Sequence, residues 1–235
     1  MSRVLRGLTT PKATFGECTR RIRCIPPVHN GTNLKPLTKG PGYNAEGAIS
    51  ANGKKIVFTS SRSGDLDIYT MNTDGTGVRR LTNTLGYDGG PFFSTDGKWI
   101  TYRAHHPTAE PEITKYKSLF AQDLVEPNEM DLYVMRANGS HQHQITNLGG
   151  ASFGPSFYPD GKRIIFSSNH EHPKSSQFEL YSVDRDGQGL ERVTFAGGFS
   201  AFPQFSPDGK QLVFISNRNG KMPHEINVFV ADWVP

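Results

Sequence analysis

The sequence predicts an all-β protein: a β-propeller of four-stranded antiparallel blades, four of which can be counted. Three observations predict it. One turn recurs four times, as Ala51-Asn52-Gly53-Lys54, Thr95-Asp96-Gly97-Lys98, Pro159-Asp160-Gly161-Lys162 and Pro207-Asp208-Gly209-Lys210. In the fullest copies Pro presets φ for a type I turn, and Gly takes the left-handed position that follows. An apolar run follows every copy: Ile56-Val57-Phe58, Trp99-Ile100-Thr101-Tyr102, Ile164-Ile165-Phe166 and Leu212-Val213-Phe214-Ile215. The unit recurs at intervals of 44, 64 and 48 residues, counted from Gly to Gly. Self-similarity at that period marks a propeller, solenoid or array.

Composition agrees. Hydrophobic residues make up 35% of the 235 positions, beside 25 Gly and 16 Pro, as many short strands joined by tight turns require. The net charge of +4 is mild, and the repeats are nearly balanced, which leaves no nucleic-acid footprint. Much of the basic excess lies in an irregular leader over 1–28, in Arg3, Arg6, Lys12, Arg20, Arg21 and Arg23. Cys18 and Cys24 also sit there; they allow a disulfide but make a poor zinc site without a His/Cys set beside them. No run of 18 apolar residues exists to span a membrane, and the leader lacks the apolar core of a secretory signal. A disordered tail, a weak targeting segment and a misassigned start on a truncated chain all fit it. The last is preferred, because the repeat begins in mid-unit.

The repeats occupy 29–235. The stretch His29 to Thr38 resembles Thr73 to Thr82: a turn and one strand, with no earlier strands of that unit before it. Four units then follow, at about 43–82, 87–146, 151–194 and 199–235. Each opens on a short strand of small or apolar residues, with Pro91, Pro155 or Pro203 suited to an edge that need not donate to a ladder. The continuous apolar second strand fits burial on both faces. The third strand is aromatic and β-branched, as in Ile68-Tyr69-Thr70-Met71 and Leu132-Tyr133-Val134-Met135. A second turn (Asp74-Gly75, Asn138-Gly139, Asp186-Gly187) leads to a polar fourth strand ending Leu81-Thr82, Ile145-Thr146 or Val193-Thr194. The last unit lacks that strand. Residues 34–38 are a spare one, and pairing the two would close a ring and hide its edges. The alternatives are a compact closed ring and a part of a larger propeller. If the propeller is incomplete, self-association is expected.

The long interval holds an insertion over 105–129. Ile113, Tyr116, Phe120 and Leu124 fall at helical spacing. They predict a short amphipathic helix, read first as a cap on the blade below and second as a partner-binding lid.

The Ser-Pro-Asp-Gly-Lys turn, the apolar strand, a Ser-x-Arg step (Ser60-Ser61-Arg62, Ser216-Asn217-Arg218), Ile/Leu-Tyr, a second Asp-Gly turn and a closing Leu/Val-Thr resemble the repeat of TolB-like β-propellers. Propellers of prolyl-oligopeptidase-like and tricorn-like proteases carry related repeats. The resemblance implies a bacterial, periplasmic or secreted protein that binds other proteins, often with six or more blades. The chain departs from that pattern in its four blades and its lack of a clear signal peptide. A propeller scaffold by itself leaves the function open.

Strand alternation puts the short Asp-Gly turns at one end of the blades and the variable loops at the other, where binding sites usually sit. Aligning the units brings Arg62, His106, His170 and Arg218 to one equivalent position. A second ring comprises Asn44, Asp88, Ser152 and Ser200, with Tyr43, Tyr87 and Phe199 beside it. These residues are expected to form a polar, partly cationic mouth suited to an acidic peptide end or a carboxylate. The competing reading is that Arg62 and Arg218 brace their own loops against Asp65, Asp67 or Glu225. His105, His106, His170 and His172, in corresponding loops of adjacent blades, have the chemistry of metal ligands but lack fixed spacing. Gly150-Ala151-Ser152-Phe153-Gly154 matches a serine-hydrolase elbow, but that elbow needs a strand before it and a helix after it. Here a strand follows, in a repeat whose siblings carry Asn44, Asp88 and Ser200 at the same place.

The expected function is non-enzymatic binding of a protein or peptide on the loop-rich face, in cell-envelope transport or integrity, with no resident cofactor beyond a divalent metal at the His loops. The alternatives are a metal-dependent hydrolase or lyase using those loops, and a regulatory propeller fragment of a peptidase.

Overall fold

In every tight turn the Asn or Asp side chain fastens its own backbone. Asn52, Asp96, Asp160 and Asp208 each accept, through Oδ1, the amide of the Lys two positions on, at 2.9–3.1 Å. The Gly between them takes φ of 69–71° in all four copies, a region that costs other residues about 1 kcal/mol or more. A computed structural model describes residues 35–40, 42–126, 129–222 and 225–234. The leader with its cysteines, and Leu34, lie outside them.

Four antiparallel sheets form four propeller blades. Blade 1 holds β1 (Asn44–Ile49), β2 (Lys55–Ser60), β3 (Asp67–Asn72) and β4 (Arg79–Arg80). Blade 2 holds β5 (Tyr87–Phe93), β6 (Trp99–His105), β7 (Asp131–Arg136) and β8 (His143–Gln144). Blade 3 holds β9 (Ser152–Phe157), β10 (Arg163–Ser168), β11 (Glu179–Asp184) and β12 (Glu191–Arg192). Blade 4 holds β13 (Ser200–Phe205), β14 (Gln211–Ser216) and β15 (Asn227–Asp232), and has three strands among the described residues. The strands pair in sequence order, as the turns predict.

The closing Leu/Val-Thr step has a definite job. Thr82, Thr146 and Thr194 each accept, through Oγ1, a third-strand amide (Ile68, Leu132, Leu180) at 2.8–2.9 Å. The hydroxyl then donates to the acid that opens that strand: Asp67, Asp131 or Glu179. The preceding Leu81, Ile145 and Val193 donate their amides back to the carbonyls of the same three third-strand residues. Blades 1–3 are each latched by residues 14 positions apart.

Between blades the contact is apolar. Val57, Ile68 and Leu81 of blade 1 meet Ile100, Tyr102 and Met135 of blade 2. Leu132, Val134 and Ile145 meet Ile164, Phe166 and Val183 of blade 3. Ile165 and Leu180 meet Leu212 and Phe214 of blade 4. At the loop-rich end the backbone joins as well: Asp88, Ser152 and Ser200 donate to the carbonyls of Leu66, Met130 and Phe178 in the blade before. Blades pack in series, each on the next, with no comparable contact between the first and fourth among the described residues.

The insertion forms α1 (Glu110–Phe120). Tyr116 and Phe120 pack with Leu66, Tyr87 and Met130, and the Tyr116 hydroxyl donates to Asp65. The helix caps the junction of blades 1 and 2, the first of the two expected roles. Residues 35–38 form no strand on β15; Leu37 rests on blade 1 against Phe58, Tyr69 and Met71.

Candidate functional site

The inner strand of every blade carries a bulge just inside the loop-rich end, where the register slips: between Ala45 and Ala48, Gly89 and Phe92, Phe153 and Ser156, and Ala201 and Gln204. The residue at the slip takes a left-handed φ in all four: Glu46 at 56°, Gly90 at 60°, Gly154 at 61° and Phe202 at 54°. Two seats hold Gly, as the backbone favours, and two hold side chains that pay in strain. Those two side chains give their seams opposite characters.

Glu46 reaches from blade 1 to blade 2. Its carboxylate pairs with Arg103 at 2.6 Å and accepts the Thr59 hydroxyl at 2.9 Å and the Gly90 amide at 2.8 Å. Arg103 also donates to the Tyr87 hydroxyl at 2.6 Å. Gly90 leaves room for the cation, since a Cβ there would stand a tight 3.1 Å from the Arg103 guanidinium. Burial, with the Glu46 charge adding to it, pushes the Tyr43 hydroxyl up to about 12 and raises Tyr87 as well. The group is a satisfied, largely buried network.

Phe202 does the opposite. Its ring packs 5.4 Å from Phe153, which lies 4.8 Å from Phe178, and Phe178 lies 5.7 Å from Phe199. The cluster spans blades 3 and 4, and Phe202 stays 51% exposed.

The aligned ring of Arg62, His106, His170 and Arg218 forms as a repeat, but each member folds back on its own blade. Each blade stacks an aromatic pair across its second and third strands: Phe58–Tyr69, Tyr102–Tyr133, Phe166–Tyr181 and Phe214–Phe229. Arg62 lies over the first pair at 5.1 and 4.9 Å, and Arg218 over the last at 4.8 and 5.5 Å. His106 meets Tyr133 at 5.2 Å, and His170 meets Tyr181 at 4.4 Å. The second ring holds the first: Arg62 donates to Asn44 at 2.8 Å, His106 stands 3.0 Å from Asp88, and Arg218 lies 3.4 Å from Ser200. Ser152 instead pairs with Ser168 at 3.1 Å, and the Ser168 hydroxyl accepts the His170 amide at 3.3 Å. The arginines therefore brace their loops, though on aromatic rings and inner-strand polar groups. Asp65 instead holds Gly86 and Tyr116, Asp67 holds Arg80, and Glu225 holds the backbone of its own loop.

Burial raises the Asp88 carboxyl against the opposing pull of His106, and burial lowers His170. Tyr87 is buried, while Tyr43 and Phe199 are partly exposed. The four histidines considered as ligands are dispersed. His105 lines a cavity of about 210 Å³ under α1, beside Glu112, Lys115 and Glu126. His106 and His170 lie on their tyrosines, and His172 is exposed in its loop. Among the described residues no three His, Cys, Asp or Glu side chains gather to hold a metal. Sequence reasoning missed Glu46, Arg103 and Phe202. Their signal was present: Glu46, Gly90, Gly154 and Phe202 each stand seven residues before the turn Gly.

Comparison with known proteins agrees with this architecture. The family described as the TolB beta propeller domain matches residues 116–232. A "Protein TolB homolog" of Chlorobium chlorochromatii is 25% identical over 187 residues, covering 68% of this chain and 41% of that protein. The "Tol-Pal system protein TolB" of Bordetella pertussis is 40% identical over 45 residues, covering 19% of this chain and 10% of that protein. The chain spans about two fifths or less of the length of the first curated relatives it matches. Among solved structures, a putative TolB from Agrobacterium tumefaciens is 25% identical with a TM-score of 0.60, over 79% of this chain and 60% of that one. TolB from Acinetobacter baumannii superposes with a TM-score of 0.67 at 22% identity, over 87% of this chain and 44% of that one, a likeness of fold. The chain is a TolB-like β-propeller repeat protein.

Proposed function

We propose that this chain is a non-enzymatic binding module that takes a protein or peptide at its loop-rich mouth, in the bacterial cell envelope. The observation that carries the reading is Phe202: a half-exposed aromatic held in a left-handed conformation where two sibling blades use Gly. Strain of this kind, about 1–3 kcal/mol, collects at binding positions. Phe153, Phe178 and Phe199 extend the apolar surface, and the exposed Arg62 and partly exposed Arg218 offer charge at its rim. The TolB relatives, two of them named for the Tol-Pal system, support protein binding at the family level. No helix among the described residues is long and apolar enough to cross a membrane.

The test is Phe202→Gly. Gly suits the backbone, so the fold is retained while the ring is removed. Affinity capture from bacterial envelope extract is run with the parent chain and the variant, with partners identified by mass spectrometry. A partner retained by the parent and lost by the folded variant is the expected result. Equal capture by both, or none by either, overturns the reading.

A further inference from the structure

From the open side of blade 4 we infer that two copies of this chain join head to tail, each supplying residues 35–38 as the fourth strand of its partner's last blade. The inference stands apart from the binding mouth proposed above.

The forward faces of blades 1–3 are sealed by the next blade. Val57 and Ile68, Leu132 and Val134, and Ile165 and Leu180 are all fully buried. The same positions in blade 4 are open: Val213 is 39% exposed, Val228 73% and Val230 64%. Such a face continues the three blade interfaces already described, and its natural complement is another blade's back face.

The complement is already built at the other end. Leu81 and Ile145 each approach the Gly of the next blade's second Asp/Asn-Gly turn, at Gly139 and Gly187. Leu37 makes the same approach to Gly75 and packs on Phe58, Tyr69 and Met71. It thus sits where the fourth strand of a preceding blade belongs, and β15 is the third strand without an outer partner among the described residues.

The register follows from the repeat. Leu81 donates to the Ile68 carbonyl, so the Leu37 amide is set to donate to the Val228 carbonyl. Thr82 accepts the Ile68 amide, so Thr38 is set to accept that of Val228 and to donate to Asn227. Antiparallel bonds alternate, so the position before Leu81 points its amide out of the ladder. Pro36 falls there, and its missing N–H costs no bond. Lys35 then faces Val230. The departure is that Pro36 cannot repeat the clamp in which Arg80 pairs with Asp67.

A head-to-tail interface either closes or propagates. Two four-blade arcs close at eight blades, inside the usual range of about four to eight, and a third copy exceeds it.

The experiment is sedimentation velocity on the 235-residue chain over a concentration series, with two variants. Lys35→Cys with Val230→Cys, in a background carrying Cys18→Ser and Cys24→Ser, places one thiol on each side of the pair at a spacing that suits a disulfide. The parent is expected at the mass of two chains, and the cysteine variant as a disulfide-linked dimer. Val228→Lys with Val230→Lys, both exposed in the single chain, is expected to fold and to weaken pairing by about a hundredfold or more. A monomer at every concentration, a disulfide within one chain, unaltered pairing in the Lys variant, or open assemblies larger than two would each overturn the inference.

Discussion

The seam between blades 1 and 2 and the seam between blades 3 and 4 start from one backbone bulge and finish with opposite chemistry. At the first, Glu46 is drawn across to Arg103, Gly90 and Thr59, and every bond it makes stays inside the protein. At the second, Phe202 lies over Phe153 with half of its surface in water. Strain offset by internal bonds holds two blades together. Strain offset by one ring contact and one amide bond, to the Ser167 hydroxyl, leaves the ring as a surface for something else to cover.

The largest test breaks the polar seam. Arg103→Met leaves a largely buried carboxylate without its cation and is expected to cost about 3–5 kcal/mol in urea unfolding. Adding Glu46→Gln should recover most of that loss. Full additivity of the two changes would show that the pair is not coupled. Next, Thr146→Val removes the acceptor of the buried Leu132 amide, with an expected loss of about 1–3 kcal/mol. The aromatic seam should respond less. Phe202→Gly relieves strain while losing one ring contact, and its stability should stay within about 1 kcal/mol of the parent. A loss as large as that from Arg103→Met would make Phe202 a structural residue and erase the contrast.

The smallest effect is the pH response of the rim. Burial holds His170 below its ordinary value of 6.5. The unfolded chain therefore takes up the proton first. The stability tied to this group is complete above about pH 6.5 and falls as the pH drops through the depressed folded value. His170→Gln should flatten the melting temperature between neutral and mildly acid pH. An unchanged slope would assign the response to other groups.

The blades were legible in the sequence because tight turns are local. Asn/Asp, Gly and Lys in a fixed order specify a hairpin without help from the rest of the chain, and the structure places all four as read. The equivalence of Arg62, His106, His170 and Arg218 was legible for the same reason. Their direction was not, because it depends on an aromatic pair that only strand pairing assembles. Glu46 and Arg103 were hidden more deeply. They stand 57 positions apart in different blades, and neither residue type announces a bulge. The two glycines at the sibling seats were the available sign.

The threonine latch has a consequence for how the molecule opens. In blades 1–3 the amide of the third strand's second residue is claimed by a hydroxyl 14 residues away. Closure is thus local, and each of these blades can form as its own cooperative unit. Blade 4 has no such hydroxyl of its own among the described residues, so in a single unpaired chain the Val228 amide should exchange its hydrogen for deuterium well before those of Ile68, Leu132 and Leu180. Unfolding should then begin at that end and travel inward, one latch at a time.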